Sequence, residues 1–393
     1  MCGIAAIFAY DTDAPPVDER ELLRMRECMS ARGPDGAGLW TDPQRRIGLA
    51  HRRLAIIDLS PSGAQPMLLP DRPLAIVFNG EIYNYRELRA GVEARGHRFG
   101  STSDTEVLLR LYAEHGAAML GMLRGMFAFA LWDGERRGLL LARDPFGIKP
   151  LYVADDGKTL RAASQVKALL AGGRIGRAAD AAGHVGFFLW GHVPEPHTLF
   201  RDIRALPPGT TWWRDQQGRR CEQTFCSIPE LFRAARADSP GTTLHWTEAL
   251  RDSVRHHLVA DVPVGVFLSS GVDSATMTML AAEQGGHLRT VTLGFEEFRG
   301  TPNDEVPLAE QLARALGAKH QTIWITRRDF EAEAERLFAA MDQPTTDGVN
   351  TYFVSLAAAR ASLKVALSGL GGDELFGGYP SFRQIPRAVK TLQ

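Results

Sequence analysis

The chain changes its hydrophobic grammar near its middle. Up to about residue 210, apolar residues come in short strand-like runs broken by turn dipeptides. GMFAFALW (125–132), Asp133-Gly134 and RGLLLARD (137–144) read as a hairpin. LYVA (151–154), Asp155-Asp156-Gly157 and TLRAAS (159–164) read as another. AIVFNGEIYN (75–84) puts Asn79-Gly80 where a strand is expected to turn tightly. YRELRAGVEARG (85–96) and DTEVLLRLYAEHG (104–116) carry apolar residues at helical spacing, each ending on glycine. Antiparallel sheets with helices packed on them, an α+β domain, are predicted for 2–210. The stretch from about 205 to 245, with Pro207-Pro208-Gly209, DQQGRR and ADSPGTT, is irregular, and a linker is placed at 211–244.

From 245 to 393 the pattern is strand, helix, strand, helix. VPVGVFLS, RTVTLGF, HQTIWI and KVALSG alternate with SATMTMLAAEQ, EVPLAEQLARALG and NTYFVSLAAARAS. Near-continuous Val/Ile/Leu strands between amphipathic helices predict an α/β parallel sheet, Rossmann-like, covered on both faces. Ligands of such sheets bind at the carboxyl ends of the strands. Two strand-end loops there are rich in Ser and Gly and carry Asp: FLSSGVDSA (267–275) and ALSGLGGDELFGGYPSF (366–382). Small residues let backbone N–H groups approach an anion, and a helix N-terminus adds positive potential. Neither loop has the Gly-Lys-Ser/Thr of a Walker phosphate loop.

Composition narrows the function classes. A chain of 393 residues is long enough for two cores, and 45% hydrophobic with 23% charged residues describes a soluble globular protein. A net charge of -1 offers no basic surplus for nucleic acid. No apolar run approaches the roughly 18 residues of a membrane span, and the apolar opening lacks a basic leader and runs into Asp11 and Asp13. The cytoplasm is the expected location. Of the four cysteines, Cys28, Cys221 and Cys226 have no metal-type or redox-type spacing and read as bystanders. Cys2 is different: removal of Met1 would leave a thiol and a free α-amine on one carbon, a nucleophile with its own base.

The chain resembles a known family along nearly its whole length. MCGIAAIF, RGPDGAG (32–38), AHRRLAIIDL (50–59), VFNGEIYNY (77–85), SDTE (103–106), FAFALWD (127–133) and ARDPFGIKPLY (142–152) resemble, in order, the class II glutamine amidotransferase domain. SSGVDS (269–274) and SGLGGDELFGGY (368–379) resemble the ATP-pyrophosphatase (PP-loop) domain of glutamine-hydrolysing asparagine synthetases. The resemblance implies a four-layer αββα N-terminal nucleophile fold for the first domain, with Cys2 attacking the side-chain amide of glutamine. It implies an oxyanion hole from Asn79 and the Gly80 N–H, and a glutamine pocket from Arg53, Leu54, Ile56, Asn79, Gly80, Glu81 and Asp104. Arg143 and Lys149 are read as structural and left outside the site.

For the second domain the resemblance implies ATP-dependent activation of the aspartate β-carboxylate as an aspartyl-adenylate, which ammonia converts to asparagine. Leu268, Ser269, Gly271, Asp273, Ser274, Leu293, Ser368 and Gly369 match nucleotide-contacting positions, and Asp273 and Asp373 the Mg2+ carboxylates. Glutamine, aspartate and ATP are the implied partners, and a homodimer is one assembly compatible with them. Three departures bear on the second domain. Ser270 replaces the middle glycine of the family's Ser-Gly-Gly loop, Leu370 stands where an acidic residue is common, and family members continue past Gln393. Adenylation of another carboxylate, or a chain keeping only glutaminase or nucleotide-binding function, therefore stays open.

Overall fold

The computed structural model describes residues 1–237 and 246–392. The chain forms two compact units, the first holding residues 1–237 and 341–346, the second 246–340 and 347–392.

The first unit runs β1 (Gly3–Ala9), α1 (Glu19–Cys28), β2 (Gly36–Thr41), β3 (Ile47–Arg53), β4 (Met67–Leu68), β5 (Leu74–Ile82), α2 (Tyr85–Ala94) and α3 (Asp104–His115). It continues through β6 (Gly125–Asp133), β7 (Gly138–Arg143), β8 (Tyr152–Asp155), β9 (Thr159–Ala163), α4 (Val166–Ala171) and α5 (Ala181–Trp190). It ends with β10 (Arg204–Ala205), β11 (Thr210–Asp215), β12 (Arg220–Thr224) and α6 (Ile228–Ala237). The strands form two antiparallel six-stranded sheets, ordered β10-β8-β9-β1-β3-β2 and β12-β11-β7-β6-β5-β4.

β1 explains why the chain opens on an almost unbroken apolar run. Its residues alternate between two cores: Ile4, Ala6 and Phe8 pack between the sheets with Val77, Ala130 and Leu141. Ala5, Ile7 and Ala9 pack on the other face with Leu22 and Met25 of α1 and Leu169 of α4. A strand buried on both faces needs apolar residues at every position. With α2 and α3 on the second sheet, the layers are αββα.

Both expected hairpins form, β6–β7 and β8–β9, and α2 and α3 match the expected helices. Asn79-Gly80 is not a turn. β5 runs straight through it, with Asn79 opposite Ala128 and Gly80 opposite Phe127. Glycine is demanded there by the neighbouring strand, since a Cβ on Gly80 would lie 2.3 Å from the Met126 carbonyl oxygen. Of the segment read as a linker, Thr210–Asp215 and Arg220–Thr224 are strands paired into the second sheet, and 228–237 is helical. Residues 238–244 lie outside the described residues.

The second unit runs α7 (Trp246–His257), β13 (Val264–Phe267), α8 (Val272–Glu283), β14 (Arg289–Phe295), α9 (Val306–Ala315) and β15 (Lys319–Ile325). It then runs α10 (Arg327–Ala340), α11 (Gly348–Arg360), β16 (Val365–Leu367), α12 (Gly372–Phe376) and α13 (Ser381–Leu392). Its sheet is wholly parallel, ordered β15-β14-β13-β16, with apolar clusters on both faces. The order reverses direction at β13, so the crevice between β13 and β16 is the switch point at which such sheets bind ligands. No helix among the described residues is long and apolar enough to cross a membrane.

Candidate functional site

In the first unit the entrance to β1 is surrounded by the loop after β3, the end of β5 and the start of α3. Cys2 Sγ accepts a hydrogen bond from the Leu54 N–H at 3.3 Å and lies 3.6 Å from the Leu54 carbonyl oxygen. Burial pushes the thiol up, and the Leu54 N–H and the neighbouring terminal amine only partly oppose it. That amine, carried by Met1, is lowered to about 6, chiefly by loss of water around it. Arg32 Nε donates to the Cys2 carbonyl at 2.9 Å, while its Nη2 is buried with no partner.

Asn79 is 1% exposed, and its Nδ2 has no hydrogen-bond acceptor among the described residues. A buried donor left unmatched costs about 1–3 kcal/mol, so its presence calls for an explanation. Arg53 is held by carbonyls: Nη1 donates to Ser60 at 2.9 Å and Nη2 to Asp58. Asp58, a non-glycine residue at φ 53°, organises this loop. Its burial would raise its carboxyl, but hydrogen bonds from Ser60, Thr102 and Ser62 outweigh that and hold it at about 2. Gly63 leaves room for the guanidinium, for a Cβ there would lie 2.3 Å from Arg53 Nη2.

Two carboxyls complete the pocket. Burial lifts Glu81 to about 7, with Lys149 pulling down and Asp104 pushing up. Burial lifts Asp104 to about 6 against hydrogen bonds from Ile82, Thr105 and Ser103. The Ile82 amide, one residue beyond Glu81, donates to Asp104 at 3.1 Å. Thus Cys2 contacts Leu54 and lies near Arg53, Glu81 lies near Asp104, and Asn79 stands two positions before Glu81 on β5. Ile56 is half-buried in the same loop.

Sequence reasoning gave Arg32 no role, although it lies in the quoted RGPDGAG segment; only the fold brings it to the Cys2 carbonyl. Arg143 is structural as read, pairing with Glu195 at 2.8 Å and donating to the Lys149, Leu206 and Gly147 carbonyls.

In the second unit the two Ser/Gly loops stand on β13 and β16, which pair directly, and they touch. A Cβ on Gly372 would lie 2.3 Å from Asp273 Oδ2, and one on Gly369 3.1 Å from the Ser274 nitrogen. Ser274 ties the first loop together: its hydroxyl accepts from the Ser269 amide at 3.1 Å, lies 2.9 Å from the Ser269 hydroxyl and donates to the Gly271 carbonyl at 3.0 Å. α8 begins at Val272 with no side-chain cap, which leaves its amino end available to an anion. Ser270 is absent from the residues at positive φ, so serine fits the loop without backbone strain. The Leu268 side chain packs with Ala309 and Ala313, while its N–H donates to the Val291 carbonyl at 2.9 Å and its carbonyl accepts from the Thr292 hydroxyl at 2.6 Å, so its backbone is tied to β14. Leu293 is half-buried on β14. Asp273 and Asp373 lie in the crevice on opposite loops, both against glycines: a Cβ on Gly378 would lie 1.8 Å from Asp373 Oδ1. The two loops form a small-residue cradle with a carboxylate on each side.

Residues 1–225 match the family described as "Glutamine amidotransferase domain", and residues 245–392 match "Asparagine synthase". "Asparagine synthetase [glutamine-hydrolyzing] 1" of Bacillus subtilis (strain 168) is 36% identical over 396 residues, covering 100% of this chain and 61% of that protein. "Asparagine synthetase B [glutamine-hydrolyzing]" of Escherichia coli (strain K12) is 32% identical, covering 99% of this chain and 66% of its own length. A Methanocaldococcus jannaschii protein provisionally given the same name is 32% identical, with 100% of this chain and 80% of that protein covered. The chain thus spans about three fifths of the length of the Bacillus relative. With a glutamine amidotransferase domain followed by an asparagine synthase domain, the chain belongs to the glutamine-hydrolysing asparagine synthetase family.

Proposed function

We propose that this protein hydrolyses glutamine at Cys2 and passes the ammonia to an ATP-dependent amidation of aspartate, forming asparagine. The observation that carries the reading is a buried thiol, fixed by the Leu54 N–H at 3.3 Å, in a pocket that holds an unmatched amide donor on Asn79. A thiol pushed up by burial is a poor nucleophile until a base takes its proton. With Met1 removed, the α-amine of Cys2 is that base. The amine now at the chain start is already lowered to about 6 and would be largely unprotonated at neutral pH.

Attack on the glutamine amide carbonyl places negative charge on oxygen, and the Asn79 Nδ2–H and Gly80 N–H donate to it. The amine returns its proton to the departing ammonia. Arg53 takes the α-carboxylate with a planar fork, and Glu81 and Asp104 take the α-ammonium. Leu54 and Ile56 line the pocket through their backbones.

In the second unit, the loop of Leu268, Ser269, Gly271 and Ser274 with the start of α8 binds the ATP phosphates, while Leu293, Ser368 and Gly369 contact the adenosine. Asp273 and Asp373 would hold Mg2+, which supplies neutralisation of phosphate charge when bound. A cytoplasmic, homodimeric enzyme fits this reading.

The test is Cys2→Ala in the full-length protein. Glutamine-dependent asparagine formation should vanish while ammonia-dependent formation persists. Equal loss of both refutes the division of labour. A second reading, adenylation of a different carboxylate, is favoured by Leu370, 85% exposed where an acidic residue is common. It predicts no aspartate-dependent pyrophosphate release.

A further inference from the structure

We infer that His51 and Gln65 are positioning residues of the glutaminase: they clamp the Phe78 backbone groups and so fix the direction in which Asn79 Nδ2 and the Gly80 N–H meet the developing oxyanion. The inference deepens the glutaminase reading above and rests on it. Sequence reasoning gave neither residue a role, although His51 lies in AHRRLAIIDL (50–59).

The clamp follows from the two hydrogen-bonding edges of β5. In an antiparallel strand the N–H and C=O of one residue point to the same side, and successive residues alternate. Phe127, opposite Gly80, sends both its backbone groups away from β5: its N–H donates to Asp144 Oδ2 at 3.2 Å, and its carbonyl accepts from the Asp144 N–H at 2.8 Å. Phe78, Gly80 and Ile82 therefore turn their amides to the outer edge of β5, where pairing with β4 stops at Ile76. Beyond that point side chains take over from the strand. The Phe78 N–H donates to Gln65 Oε1 at 2.6 Å, the Phe78 carbonyl meets His51 Nε2 at 3.2 Å, and the Ile82 N–H donates to Asp104 Oδ2 at 3.1 Å. The Gly80 amide faces the same edge between these two tethered neighbours. Gln65 Nε2 also donates to the Thr105 hydroxyl at 3.2 Å, which ties the clamp to the start of α3 beside Asp104.

His51 is kept for one of its two nitrogens. The residue is wholly buried, and burial lowers the imidazole to about 3 against the Phe78 carbonyl, with Arg53 lowering it further, so the ring is neutral. A carbonyl only accepts, so Nε2 carries the proton of the neutral ring and Nδ1 keeps a lone pair. That Nδ1 is buried with no hydrogen-bond partner among the described residues. Core filling alone asks for an apolar side chain here, since a stranded ring nitrogen is costly; the Nε2–H is what an apolar residue lacks. His51 follows Ile47 and Leu49 on the face of β3 that packs between the sheets, and Asn79 follows Ala75 and Val77 on the inward face of β5. The Phe78 carbonyl belongs to the peptide group that carries the Asn79 nitrogen. A ring from one sheet thus holds the residue immediately before the oxyanion donor in the other. Misplacing groups at a reacting centre by about 1 Å costs on the order of 10²-fold in rate.

The experiment compares the full-length wild type with His51→Leu, His51→Gln and Gln65→Met. A glutamine at 51 carries a donor that reaches the place of Nε2, whereas leucine there and methionine at 65 leave the Phe78 groups unheld. In steady-state glutamine hydrolysis, His51→Leu and Gln65→Met should lower kcat by about 10–100-fold. Their KM should stay within about threefold of wild type, because Arg53, Glu81 and Asp104 are not substituted. His51→Gln should recover most of kcat. Combining His51→Leu with Asn79→Ala should cost clearly less than the product of the two single losses, as both act on one oxyanion. Crystal structures of wild type and His51→Leu should differ by about 0.5 Å or more at Asn79 Nδ2 or the Gly80 nitrogen. The inference is overturned by a kcat within about threefold of wild type or a rise in KM at constant kcat. It is equally overturned by His51→Gln as slow as His51→Leu, by fully multiplicative losses in the double variant, or by unmoved Asn79 and Gly80. If wild type hydrolyses no glutamine, the glutaminase reading fails separately, and the crystal comparison alone decides whether His51 holds this segment. Should His51→Leu fail to fold, Gln65→Met carries the kinetic, double-variant and crystal comparisons.

Discussion

Asn79→Ala separates catalysis from stability. The residue sits mid-strand with its backbone paired to Ala128, and alanine preserves that pairing. Its side chain is buried, and Nδ2 has no partner among the described residues. Deleting it relieves a desolvated donor, about 1–3 kcal/mol, while removing packing of comparable worth. The two effects offset, so unfolding free energy should change by no more than about 1 kcal/mol, or roughly 4 °C in Tm. Catalysis has no such compensation. Loss of one oxyanion donor costs about 10²–10³ in kcat, or about 2.7–4 kcal/mol. The assay is steady-state glutamine hydrolysis alongside thermal unfolding. A kcat loss below about tenfold would refute the assignment, as would a rise in KM at constant kcat. A Tm fall of more than about 8 °C would show that the side chain serves the fold instead.

Three further outcomes follow from the geometry. Gly63→Ala places a Cβ 2.3 Å from Arg53 Nη2 and 2.9 Å from the Asp58 carbonyl oxygen, so the KM for glutamine should rise about tenfold or more and Tm should fall by a few degrees as the loop shifts. Glu81 is raised from an ordinary 4.5 to about 7, so it holds its proton more tightly folded than unfolded. Its contribution is fully present below about 4.5 and is lost as pH rises through about 7, on the order of 3 kcal/mol. Denaturant titrations of Glu81→Gln should accordingly lack that part of the decline, and parallel pH profiles would contradict it. Gly372→Ala drives a Cβ into the Asp273 carboxylate and should weaken Mg2+-ATP binding, read as a smaller nucleotide-induced rise in Tm than wild type gives.

The features legible beforehand are local ones. Hairpin turns at Asp133-Gly134 and Asp155-Asp156-Gly157 are set by residues adjacent in the chain, and both formed. Asn79-Gly80 misled because the same dipeptide that makes a tight turn also suits a strand where a neighbour crowds the Cβ position. Nothing local distinguishes the two, and the crowding atom is Met126 O, far along the chain. The strands β11 and β12 were hidden for a related reason. They follow Pro207-Pro208-Gly209 and flank Gly218, and their place in the sheet comes from the pairing of β11 with β7 and of β12 with β11.

The sequence by itself determined the two architectures, through apolar periods of two and near four, and supplied the candidate reactive groups, because a second-position cysteine and paired Ser/Gly/Asp loops carry their chemistry in residue type. Tertiary structure alone decided which groups act together. Cys2 meets Leu54 across 52 positions of chain, and Gly372 lies against Asp273. The raised Glu81 and Asp104 carboxyls and the lowered terminal amine are products of burial. Ionisation depends on the water and charge surrounding a group, and that environment exists only once distant strands have closed around it.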